Sequence, residues 1–80
     1  MSEAVLKKAF GVQLRKEREA AGLTQELLAF EAEVDRSYVS SLERGVKAPS
    51  VYMLFKLCGA LGVAPAVFVA RVDKLLQRHD

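Results

Sequence analysis

Apolar residues in this chain recur at three- and four-residue spacing in short runs, and helix-stopping and helix-starting residues stand between the runs. Nowhere does the chain show the strict apolar/polar alternation of a half-buried strand. In the first run, over residues 4–21, Leu6, Phe10 and Leu14 stand at i, i+4 spacing. Ala21 lies seven further on, with Lys7, Lys8, Arg15, Lys16 and Glu19 off the stripe. Gly22 reads as its stop. Thr24 reads as the N-cap of a second helix starting at Gln25, with Glu26 suited to the positive end of the helix dipole. That helix buries Leu28, Ala29 and Ala32 and stops at Glu33-Val34, where Asp35 can cap a third. Gly45, Pro49 and Ser50 mark the next loop and the start of a fourth helix carrying Val51, Leu54, Leu57, Cys58 and Leu61, which Gly62 ends. Pro65 fits the first turn of a fifth, over 65–78, with Phe68, Val69, Val72, Leu75 and Leu76, before the polar tail Gln77 to Asp80. The expected fold is all-α: one compact five-helix domain spanning 1–80.

Eighty residues suffice for one core and no more. With 51% hydrophobic and 28% charged residues the chain falls outside the disordered regime. A single cysteine, Cys58, excludes an internal disulfide and, without a Cys/His cluster, a zinc site. The N-terminal stretch lacks the apolar core of a signal peptide, and the longest uncharged run, residues 57–70, is broken by two glycines and a proline. A cytoplasmic location and no membrane role are expected. A net charge of +2 points only weakly to a polyanionic partner, so the distribution of charge has to decide.

The third segment, DRSYVSSLERG, is informative. At about 100° per residue its core residues Val39 and Leu42 lie about 60° apart. Ser37, Ser40, Ser41 and Arg44 gather on the opposite side, flanked by Arg36 and Tyr38. Serine is a mediocre helix former, so three on one face weaken the helix without structural return. Small hydroxyls do let a helix approach another surface closely, and Arg, Ser and Tyr can donate to phosphates and base edges. A merely solvated polar face is the competing reading of the same residues.

The ordered set Leu23-Thr24-Gln25, Leu28-Ala29, Ala32-x-Val34, Ser37-Tyr38-Val39, Leu42-Glu43-Arg44-Gly45, Pro49-Ser50 and the run from Leu57 to Val63 closely resembles the phage-repressor-like (Xre-like, lambda-repressor-like) helix-turn-helix family, over roughly residues 6–70. The resemblance implies a helix-turn-helix at 25–44 whose first helix crosses the DNA backbone and whose second enters the major groove. It implies base reading by Arg36, Ser37, Tyr38 and Ser41, phosphate contacts from Gln25, Arg44 and more weakly Ser40, and an ion pair between Arg18 and Glu43. It implies a homodimer on double-stranded operator DNA, with no metal, cofactor, small-molecule ligand or enzymatic activity. The recognition segment and the short chain ending in LLQRHD also resemble restriction-modification controller proteins, while antitoxins share the same domain. Three positions depart from the family pattern: Glu33 stands where the turn usually has glycine, and Leu27 and Phe30 stand where polar residues are usual.

Other signals are weaker. Cys58 lies on an apolar stripe and reads as a buried small hydrophobe. His79 lies in the tail without a catalytic companion. Glu31, Glu33 and Asp35 alternate but lack the glycine and terminal glutamate of a calcium loop, and GALG at 59–62 reads as a helix nearing its stop. Lys7, Lys8, Arg15 and Lys16 suit either DNA backbone or solvent. On the fifth helix the apolar arc spans about 120°. Val69 and Leu76 are expected on helix four, and Phe68, Val72 and Leu75 are expected to remain as a dimerisation patch.

Overall fold

Hydroxyl side chains start three of the five helices. Ser2 Oγ accepts from the Val5 amide, Thr24 Oγ1 from Leu27 and Ser50 Oγ from Met53, each at 3.1 Å. The computed structural model describes residues 1–79, the His79 side chain excepted, so the end of the expected polar tail lies outside the described residues. Helices α1 (Glu3–Ala20), α2 (Gln25–Ala32), α3 (Arg36–Glu43), α4 (Val51–Leu61) and α5 (Pro65–His79) follow one another, with no strand among the described residues. None of these helices is long and apolar enough to cross a membrane.

Left-handed residues close the helices that must turn sharply. Gly62 ends α4 at φ 73°. Glu33 ends α2 at φ 59°, ψ 44°, donating its amide to the Phe30 carbonyl at 3.2 Å, while Val34 donates to Ala29 at 2.9 Å. These bonds are the usual closure of a helix end by glycine, here forced on a residue with a Cβ at a cost of roughly 1–2 kcal/mol. The α2–α3 turn is thus only Glu33, Val34 and Asp35, and it sets α3 directly across α2.

The core draws on every helix: Phe10 and Leu14; Leu28, Ala29 and Ala32; Val39 and Leu42; Leu57 and Cys58; Phe68 and Val72. α1 packs on α3 and α5, and α2 on α3 and α4. Burial pushes the Cys58 thiol up to about 11, so it stays protonated and acts as an apolar filler.

Helix α5 corrects one expectation. Phe68 is 1% and Val72 5% exposed, whereas Val69 is about half exposed, the reverse of the expected orientation. The reason is α1. Phe68 stacks at a tilt on Phe10, centroids 5.1 Å apart, and Arg71 Nη1 reaches both Glu17 oxygens at 2.9 and 2.7 Å. These contacts rotate the centre of the apolar arc onto α1, with Leu75 half-buried and Leu76 against the core edge. Phe68 and Val72 are therefore unable to form a dimerisation patch.

Glu33→Gly should raise unfolding stability by about 1 kcal/mol, because relief of the left-handed strain exceeds the added freedom of the unfolded chain. Denaturant titration checks this, and an unchanged or lowered midpoint would show that the Glu33 conformation is unstrained.

Candidate nucleic-acid interface

Three helices meet at one carboxylate. Glu43, at the end of α3, has a side chain only 5% exposed, and Arg18 of α1 is 12% exposed. Arg18 Nε donates to Glu43 Oε2 at 2.6 Å and Nη2 donates to Oε1 at 3.0 Å, the bidentate geometry favoured by guanidinium and carboxylate. Arg18 Nη1 donates to the Leu23 carbonyl at 2.9 Å, and Gln25 Nε2 of α2 donates to Glu43 Oε1 at 3.0 Å. The Glu43 hydrogen bonds raise the Arg18 pKa against the opposing effect of burial, so the guanidinium stays charged. α3 is thereby held to both α1 and α2.

On this frame α3 buries Val39 and Leu42 and turns Arg36, Ser37, Ser40 and Arg44 outward or partly outward. Arg44 Nε donates weakly to Ser40 Oγ at 3.4 Å, within reach of a common surface. Asp35 holds the N-cap position without closing it by a side-chain bond, and Arg36 and Ser37 stand exposed at the opening turn. Tyr38 is half-buried beside Val34, Asp35 and Met53, with Lys47 Nζ 6.0 Å from its ring centroid. Burial raises the Tyr38 pKa, which keeps the phenol a hydrogen-bond donor. Lys47 was not legible as a site residue, because its approach to Tyr38 depends on how the loop after α3 folds.

Ser41 is a second correction. Although it lies on the outer arc of the helical wheel, it is 6% exposed, and its Oγ donates to the Tyr38 carbonyl at 2.8 Å. The chain after α3 folds back over it, with Val46 N–H donating to the Ser41 carbonyl at 3.0 Å. Its hydroxyl is already satisfied inside the fold, which removes Ser41 from the base-reading set. Gln25 is also partly engaged, since one amide donor goes to Glu43, leaving its other N–H for an outside partner. Leu27 and Phe30 of α2 are 48% and 76% exposed.

Two short helices joined by a three-residue turn, the second presenting an Arg/Ser/Tyr face, define a helix-turn-helix protein. A helix-turn-helix family model matches residues 14–68, and the chain belongs to that family. It is 40% identical over 57 residues to control protein C.BamHI of Bacillus amyloliquefaciens, covering 70% of each. Among solved structures it is similar to the restriction-modification controller protein C.AhdI of Aeromonas hydrophila, at 44% identity and TM-score 0.75, covering 78% of this chain and 94% of that one. It is also similar to the controller protein C.Esp1396I, solved as a tetramer with its natural 35-base-pair operator, at 30% identity and TM-score 0.79, covering 86% and 91%.

Removing Glu43 leaves a largely buried guanidinium uncompensated and the Gln25 amide without its acceptor. Glu43→Ala should therefore cost about 3–5 kcal/mol, read by chemical denaturation. A loss below about 1 kcal/mol would show that water replaces the carboxylate and that the cluster does not hold α3.

Proposed function

We propose that the chain is a sequence-specific transcriptional regulator of the restriction-modification controller type, acting as a homodimer on an inverted-repeat operator. The observation that carries this reading is the exposed Arg36/Ser37 opening turn of α3, on a helix held by the buried Arg18–Glu43 pair. A groove reader needs a close-approaching face on a rigid support, and this face is small, donor-rich and fixed. Arg36, Ser37 and Tyr38 read bases, while Gln25, Ser40 and Arg44 bind the backbone with Lys47 alongside. The operator complex of the related controller protein supports the DNA assignment. Action in the cytoplasm, without metal or cofactor and without catalysis, completes the proposal.

Since α5 turns its apolar centre inward, dimerisation falls to α4. Val51, Phe55 and Tyr52 lie within about 100° of arc on α4, and each is more than half exposed. Two copies would then enter successive major grooves about 34 Å apart.

A second reading rests on Leu27 and Phe30, whose exposure suits a protein-interaction module such as an antitoxin. Selection of bound duplexes from a random pool separates the two. An enriched inverted repeat is expected, and no enrichment at low salt would favour the interaction module. On the enriched site, Arg36→Ala should lose about 1–3 kcal/mol of discrimination against random DNA, whereas Gln25→Ala weakens both alike. Binding titrations on the two duplexes measure this, and intact discrimination by the Arg36 variant would remove it from the reading set.

Phe55→Arg should give a folded monomer at tens of micromolar by sedimentation, with operator affinity reduced about tenfold or more because the second half-site no longer assists the first. A variant that still sediments as a dimer would rule out the α4 face.

A further inference from the structure

Gly11 lies buried in the middle of the 18-residue α1, where alanine would ordinarily be the better helix former. A Cβ built on it would stand 2.5 Å from the Leu42 carbonyl oxygen, 2.6 Å from that of Glu43 and 3.0 Å from the Glu43 carbonyl carbon. All three are backbone atoms at the end of α3, so no side chain can swing aside. Gly45, just beyond α3 at φ +75°, approaches α1 from the other side: its Cβ would lie 3.2 Å from the Lys8 Cα. The two glycines make a seam in which backbone rests on backbone. By contrast, a Cβ on Gly59, the glycine inside α4, meets nothing within 4 Å.

We propose that Gly11 is a positioning residue for DNA reading, its missing side chain setting the angle at which α3 stands on α1. The proposal rests on the regulator function given above. Arg18 lies seven residues, about 10 Å, further along α1, so the end of α3 is held at two separated points, the glycine seam and the Glu43 carboxylate. Two points fix a direction where one would fix only a distance. Any side chain at position 11 pushes the Leu42 carbonyl from 2.5 Å to beyond 3.0 Å, a displacement of at least 0.5 Å. That is about the tolerance of a pre-organised binding constellation. Because the push acts at one end of α3, it tilts Arg36 and Ser37 at the other.

The test compares Gly11→Ala with Gly59→Ala by thermal unfolding, by amide NMR shifts and by titration with two duplexes, the site selected by the native chain and a random sequence. Gly59→Ala should match the native chain within about twofold on both. Gly11→Ala should fold cooperatively and bind random DNA within about threefold of native. Its preference for the selected site should fall at least tenfold, with shifts concentrated in residues 36–43. Folding with native preference would overturn the proposal. If Gly11→Ala does not fold, all residues at position 11 are sorted separately for protease resistance and for operator binding. Folded variants that have lost discrimination sustain the proposal. Folded variants with native discrimination overturn it, and so does a result in which only glycine folds, which makes Gly11 a packing residue alone. A native chain that enriches no sequence instead overturns the regulator reading, and this proposal with it.

Discussion

The Glu43 side chain is 5% exposed, and the arrangement of the first three helices follows from how its carboxylate is satisfied. A lone buried carboxylate is strongly unfavourable, so the fold holds only where Arg18 delivers its fork and Gln25 its amide. A well-packed apolar cluster would stabilise the same space as well or better. What the ionic cluster adds is direction: bidentate bonds have a preferred geometry that apolar contacts lack. An orienting element of that kind suits a helix whose outer face is to meet another surface.

Helix α3 is weak by itself. Eight residues fall short of what is stable alone in water, and three of them are serines. Its stability comes from Val39 and Leu42 below, the glycine seam against α1 and the loop that folds back on Ser41. Since support comes from its neighbours, the outer residues are free to be small and polar.

Apolar surface is distributed unevenly over the molecule. α5 commits Phe68 and Val72 to the interior, while α4 leaves Val51, Tyr52 and Phe55 exposed and α2 leaves Leu27 and Phe30. On a chain of 80 residues these side chains form two exposed apolar groups, one on α4 and one on α2.

Much of the fold was readable from local chemistry. Thr24 and Ser50 announce helix starts and Gly62 a stop, because capping depends on neighbours within four residues, whereas the left-handed Glu33 was suggested only by the glycine that the family pattern has there. The family pattern pointed to Arg18 and Glu43 together, though they stand 25 residues apart. Periodicity also found the apolar arc of α5 but not its rotation, since an arc states which residues avoid water without naming the partner, and only packing on Phe10 chose Phe68 and Val72. Ser41 sits on the outer arc, yet the returning chain covers it, and Gly11 looks like a flaw in a helix until the α3 carbonyls arrive beside it. The sequence by itself determined the elements, their limits and the chemistry of the outward face of α3. Tertiary structure alone decided how each helix is rotated and which groups are already engaged, because those depend on close approaches between residues far apart in the chain.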